Sequence, residues 1–192
     1  MAAARGTCRS PRFALCISYA SVDAMRIFAL IALCLATPAS AQTCTLEFTI
    51  EVTQGVGFIR PGTQLPGSAE FEITGQTFRQ EGGSTAHFAT GQMTIGDGIT
   101  GPIWTLITTS RGEAADLIGV YAHHIEGFSF AGQDYEGPMA LTLFGPPGTR
   151  PAATPPVTQV EWDEMDLRRA FMLHADGDML AGDVVDLVVE CT

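Results

Sequence analysis

The residues best suited to chemistry are four histidines and a scatter of carboxylates. His123 and His124 are adjacent, so on a strand their side chains point to opposite faces. His124 and Glu126 stand two apart and share a face, which offers two ligands to a transition metal. A third ligand would have to come from His87 or His174. No metal-ligand spacing is matched, and surface residues beside Tyr121 are the plainer reading. Asp176, Asp178 and Asp183 gather near the end of the chain and offer oxygens to calcium. Their spacing misses the D-x-D-x-D-G loop, and Asp176-Gly177-Asp178 is also what a tight turn demands. The metal candidates are thus His124, Glu126, Asp176 and Asp178, none with a matched motif, and no cofactor is expected.

Gly127-Phe128-Ser129-Phe130-Ala131 is one residue away from a G-x-S-x-G nucleophile elbow. That motif needs a strand, a sharp turn and a helix, whereas Ser129 sits between two aromatics in a strand-like run. Asp163, Glu164 and Asp166 could pair as carboxylates for hydrolysis, but carboxylate separation is a spatial fact, and a solvated acidic turn is the default reading. There is no glycine-rich phosphate loop or dinucleotide fingerprint. No catalytic residue is assigned, and a metal-dependent hydrolase using His124 and Glu126 is kept as an alternative.

These side chains need elements to position them, and the elements read as strands. Leu167–His174 and Met179–Cys191 flank Asp176-Gly177-Asp178, a strong hairpin signal. Thr45–Val52 alternates strictly, with Leu46, Phe48, Ile50 and Val52 on one face. Ser68–Thr74 alternates again. Thr85–Ile95 is a weaker strand whose Gly91 suggests a bulge. Ile103–Thr109, Asp116–Ile125, Phe128–Phe130 and Met139–Phe144 complete the series. Strands about ten residues apart, with turn signals between them, predict an all-β, antiparallel β-sandwich of jelly-roll or Ig-like type, with a closed β-barrel as the alternative. In the barrel reading, Phe71, Phe88, Trp104 and Phe130 would line an apolar cavity. The stretch from Gly145 to Pro156 carries five of the eleven prolines and reads as an irregular, stiff connection crossing between sheets. Glu161–Phe171 reads as a turn or single helical turn before the last hairpin.

The start of the chain has a different character. Met25-Arg26, the apolar run Ile27–Ala36 and the small-residue segment Thr37–Ala41 have the anatomy of a signal peptide cut after Ala41. The run is shorter than the roughly 20 apolar residues of a spanning helix. Residues 1–24 read as an extension from a mis-assigned start, 25–41 as the signal peptide and 42–192 as one secreted β domain. The other reading of 1–24 is a long n-region. The expected address is the periplasm or the medium.

Beyond Ala41 there remain six arginines, no lysine and twenty acidic side chains, a net charge of −14. Such a surface repels phosphate backbones and anionic headgroups, which argues against nucleic acid and electrostatic membrane binding. Only Cys44 and Cys191 lie beyond the presequence. In an oxidising compartment they are expected to pair, stapling the first strand to the last.

Pro66-Gly67-Ser68-Ala69-Glu70-Phe71, Phe171–Asp176 and Leu180–Leu187 resemble small secreted bacterial β-sandwich domains of the exosortase-sorted (PEP-CTERM-like) type. The chain departs from them in ending at Thr192 without a sorting helix and basic tail. The resemblance implies the fold, and most such domains carry no assigned activity. The resulting expectation is a non-catalytic binding or structural module of the cell envelope with a protein or glycan partner. A periplasmic small-ligand or lipid-binding barrel is the other binding reading.

Overall fold

A computed structural model describes residues 41–79, 83–123, 125, 128–130 and 133–192. The described chain is almost wholly β. Its strands are β1 (Gln42–Gln54), β2 (Gln64–Arg79), β3 (Ser84–Ile95), β4 (Ile99–Thr109), β5 (Asp116–Ala122), β6 (Phe128–Phe130), β7 (Gln133–Gly145), β8 (Arg168–Ala175) and β9 (Asp178–Cys191). One short helix, α1 (Gln159–Asp163), lies in the connection from β7 to β8.

Neighbouring strands pair antiparallel in the order β5-β4-β3-β2-β1-β9-β8-β7, and β5 pairs again with β7 from Asp116↔Gly145 to Ala122↔Met139. That last ladder closes the sheet into an eight-stranded barrel. β6 stands outside the cycle and pairs only with the start of β7. The antiparallel all-β expectation therefore holds, and the architecture is the closed barrel rather than the sandwich. The reason is physical: closure removes both exposed edges, which a sandwich must leave or protect.

Eight strands leave an interior just wide enough for side chains to fill. The inward positions of β1 (Leu46, Phe48, Ile50 and Val52) are buried, as the alternation requires. They meet Phe71 of β2, Met93 of β3, Leu106 of β4, Leu141 of β7 and Phe171 of β8 in one cluster. The Phe48 and Phe171 rings, from the two strands that flank β9, are 6.3 Å apart. Gly91 is needed in β3 because a Cβ there would stand 2.0 Å from the Glu70 carbonyl oxygen. The bulge expected at this glycine is present as a register shift between Phe88 and Gly91 against β4.

The proline-rich connection does not cross between sheets; it lies over one mouth of the barrel. Hydrogen bonds tie it to the rim at several points. Gln42 of β1 donates to the Pro156 carbonyl at 2.8 Å, and the amide of Val189 in β9 donates to Gln159 at 2.6 Å. Asp116 of β5 accepts from the Arg150 amide at 2.7 Å. The helix forms because Thr158 and Glu161 make a reciprocal capping box, which satisfies amides that would otherwise lack partners. It drives Trp162, with Met165 just after it, into the core. The helical turn expected here begins two residues earlier, at Gln159, and the strand resumes at Arg168.

Cys44 and Cys191 are paired neighbours on β1 and β9, with their sulfurs bonded at 2.09 Å. The staple joins the first strand to the last, 147 residues away.

Candidate functional site

The expected chemical residues do not gather. His124 and Glu126 lie outside the described residues. His87 points into the barrel, whereas His174 is exposed on β8 and pairs with Met179. Asp176 and Asp178 are exposed at the β8–β9 turn, where Gly177 takes a positive φ of 70° and Asp178 accepts from the Met179 amide at 2.8 Å. The turn reading explains them. Asp183 is exposed farther along β9. Among the described residues no three His, Cys, Asp or Glu side chains form a metal-holding group. Ser129 lies in β6 opposite Asp134, and β7 starts at Gln133, so the helix of a nucleophile elbow is missing. Asp163 closes α1, where its carboxylate accepts from Gln159 at 2.9 Å and lies 3.5 Å from Arg169. Glu164 and Asp166 are exposed just beyond.

Two other groupings exist. The first is a polar layer beneath the covered mouth. His87 Nε2 shares a 2.9 Å hydrogen bond with Thr108 Oγ1, and both residues are buried. Asp116 is fully buried and accepts from the amides of Gly112 (2.9 Å) and Arg150. The Arg150 guanidinium, also buried, donates to the Thr154 carbonyl. Burial pushes the His87 imidazole below its ordinary value; a bond with the Ala153 backbone opposes this, and the charge of Arg150 adds to it. His87, Thr108, Asp116 and Arg150 are all buried, so the layer reads as structure.

The second grouping is on the outer wall. Phe88 and Trp104 were candidates for an apolar lumen beside Phe71. Phe71 is indeed inside, but Phe88 is 43% and Trp104 58% exposed. The Phe130 side chain lies outside the described residues. Both stand on the outer face of their strands, Phe88 between the buried His87 and Ala89 and Trp104 next to the buried Ile103, and the pairing around them is irregular. Register shifts fall between Ile73 and Thr77 on β2–β3, between Phe88 and Gly91 on β3–β4, and between Ile103 and Thr105 on β4–β5. On β4 the buried series Ile99, Gly101 and Ile103 changes phase to Leu106 and Thr108, so Trp104 and Thr105 both fall outside the inward set. Bulges re-aim side chains in this way and are over-represented beside functional sites.

Three breaks at one level of adjacent strands open a shallow depression of about 380 Å³, lined by Thr74, Gln76, Phe88, Thr90, Trp104 and Thr105. Tyr121 and His123 continue the aromatic row. Their rings are stacked at 6.3 Å, and the Trp104 and His123 centroids are also 6.3 Å apart. His123 Nε2 is 3.1 Å from Thr105 Oγ1, which fixes the imidazole. Gly119 lets the Tyr121 ring lie flat on the wall, since a Cβ there would stand 2.5 Å from that ring. A sequence signal for this row did exist: the spacing of Ile103 and Leu106 breaks strict alternation around Trp104.

The other described grooves are also on the surface. One of about 370 Å³, at the opposite end of the barrel, is lined by Phe58, Ile59, Leu65, Ile95 and Ile99 beside Asp97. No helix among the described residues is long and apolar enough to cross a membrane. Compared with protein-family models, curated proteins and solved structures, the chain matches none.

Proposed function

We propose that the chain is an exported, non-catalytic binding module of the bacterial envelope that holds its ligand on the outer wall of the barrel. One observation carries the reading: Phe88, Trp104, Tyr121 and His123 gather around an open depression while apolar side chains fill the interior. Exposed aromatic surface is costly to keep in water and marks interaction sites when it is contiguous. The packed interior speaks against a lumenal small-ligand or lipid carrier, which would need a cavity. A hydrolase built on His124 and Glu126 would need a third ligand, and among the described residues neither His87, turned inward, nor His174, on β8, belongs to a group of three ligating side chains. Export is supported by the signal-peptide anatomy of residues 25–41 and by the cysteine pair, which suits an oxidising compartment.

The test is a thermal-shift screen of the purified protein against metals, glycans and lipids, with amide NMR for each hit. A ligand that prefers the folded state raises the melting temperature. The expected hit moves the amides of Thr90, Thr105 and His123. A hit that instead moves Met93 and Leu141 in the lumen, or metal-dependent ester hydrolysis lost in His124→Ala, overturns the reading.

A further inference from the structure

We infer that the ligand of the outer-wall depression is an uncharged glycan chain, an inference that rests on the binding-module reading above. The lining alternates two kinds of group. Phe88 and Trp104 bring aromatic rings, and Thr74, Gln76, Thr90 and Thr105 bring hydroxyl and amide groups, of which the Thr74 hydroxyl donates to the Phe88 carbonyl and that of Thr105 is bonded to His123. A pyranose ring has the matching pattern, with an apolar C–H face and a rim of hydroxyls. Its C–H bonds pack on the electron-rich face of an indole, while its hydroxyls exchange water for the neighbouring polar side chains. A purely apolar ligand would need a deeper and drier pocket than this open wall.

Charge narrows the class. Among the described residues no ionisable side chain lines the depression itself, and His123 stands beside it, bonded to Thr105. At Thr90 it meets a second groove of about 390 Å³ that carries Glu70, Glu72 and Gln92. Two carboxylates there repel an anionic sugar, phosphate or nucleic acid, and the net charge of −14 beyond Ala41 acts in the same sense. The same carboxylates accept hydrogen bonds from neutral hydroxyls. Two grooves sharing a residue suit an extended chain better than a single sugar.

The test is titration of the purified protein with cellohexaose, laminarihexaose and chitohexaose, followed by amide NMR and tryptophan fluorescence. At least one should bind saturably below about 1 mM, moving the amides of Thr74, Thr90 and Thr105. Trp104 should respond, and Trp162, fully buried on the other side of the wall, should not. Trp104→Ala should weaken binding roughly tenfold by NMR with an unchanged melting temperature, and Phe88→Ala should weaken it less, since its ring is the smaller. Raising salt from about 50 to about 500 mM should leave the affinity unchanged, because no charge pairing is involved. Binding that survives Trp104→Ala, or that collapses with salt, overturns the glycan assignment. Indole and p-cresol serve as class-neutral probes. If they move the wall amides and no oligosaccharide does, the glycan assignment falls and the outer-wall site stands. If neither set moves them, both fall.

Discussion

Nε2 of His87 lies 2.9 Å from Oγ1 of Thr108 inside a barrel whose other inward side chains are mostly apolar. The bond joins β3 to β4 beneath the connection that carries Arg150, so a positive charge on this buried imidazole would be desolvated and would face a guanidinium. Arg150 faces His87 from that connection, and Asp116 of β5 and Glu161 of α1 lie within electrostatic reach of Arg150.

This arrangement sets the acid response of the fold. Burial, partly opposed by the Ala153 bond and reinforced by Arg150, holds the folded-state value of His87 below 6.5. As pH falls through about 6.5 the unfolded chain takes up a proton that the folded chain refuses, so stability is full above that value and is lost below it. Glu161 acts in the same direction at lower pH. Desolvation would raise its value, but bonds from the Val157 and Thr158 amides and the Thr158 hydroxyl, with the charge of Arg150, lower it overall. Its contribution is present above the unfolded value and fades as pH falls through the folded one. The melting temperature should therefore drop between about pH 7 and pH 5, and His87→Gln should flatten that part of the profile. Calorimetry across the range checks both.

Asp116 is the carboxylate on which the covered mouth turns. It is fully buried, and its two oxygens each accept one backbone amide, from Gly112 and Arg150. Asp116→Ala leaves both donors unmatched and should cost about 2–4 kcal/mol. Denaturant unfolding measures the loss, and faster hydrogen exchange at Arg150 would locate it.

The Cys44–Cys191 staple closes a loop with a sequence separation of 147. On the chain-entropy model it stabilises by at most about 5 kcal/mol, mainly by restricting the unfolded ensemble. The double variant Cys44→Ser, Cys191→Ser should unfold at lower denaturant, and a reductant should shift only the parent protein.

Local features of the barrel were legible in the residues. The alternation of Leu46, Phe48, Ile50 and Val52, the Asp176-Gly177 hairpin and the Cys44–Cys191 pair are set by neighbours in sequence or by having one available partner. Closure was not legible. It rests on β5 bypassing β6 to pair with β7, a choice between long-range ladders that no local pattern encodes. The outward setting of Phe88 and Trp104 is not legible from residue type. Phe88 falls between the buried His87 and Ala89, and Trp104 follows the buried Ile99, Gly101 and Ile103, so both stand outward on the alternation of their strands, a phase that their aromatic character alone does not reveal. The place of His87 was hidden as well, since the Arg150 segment that seals it comes from 63 positions later.

The outer-wall site is tested most directly by oxidative footprinting of the two tryptophans, with and without the best-binding hexasaccharide. Trp104 should be modified quickly in the free protein and strongly protected by the sugar, while Trp162 stays unmodified in both. Equal modification of Trp104 in the two samples, with the sugar independently shown to be bound, would contradict a ligand site on this wall.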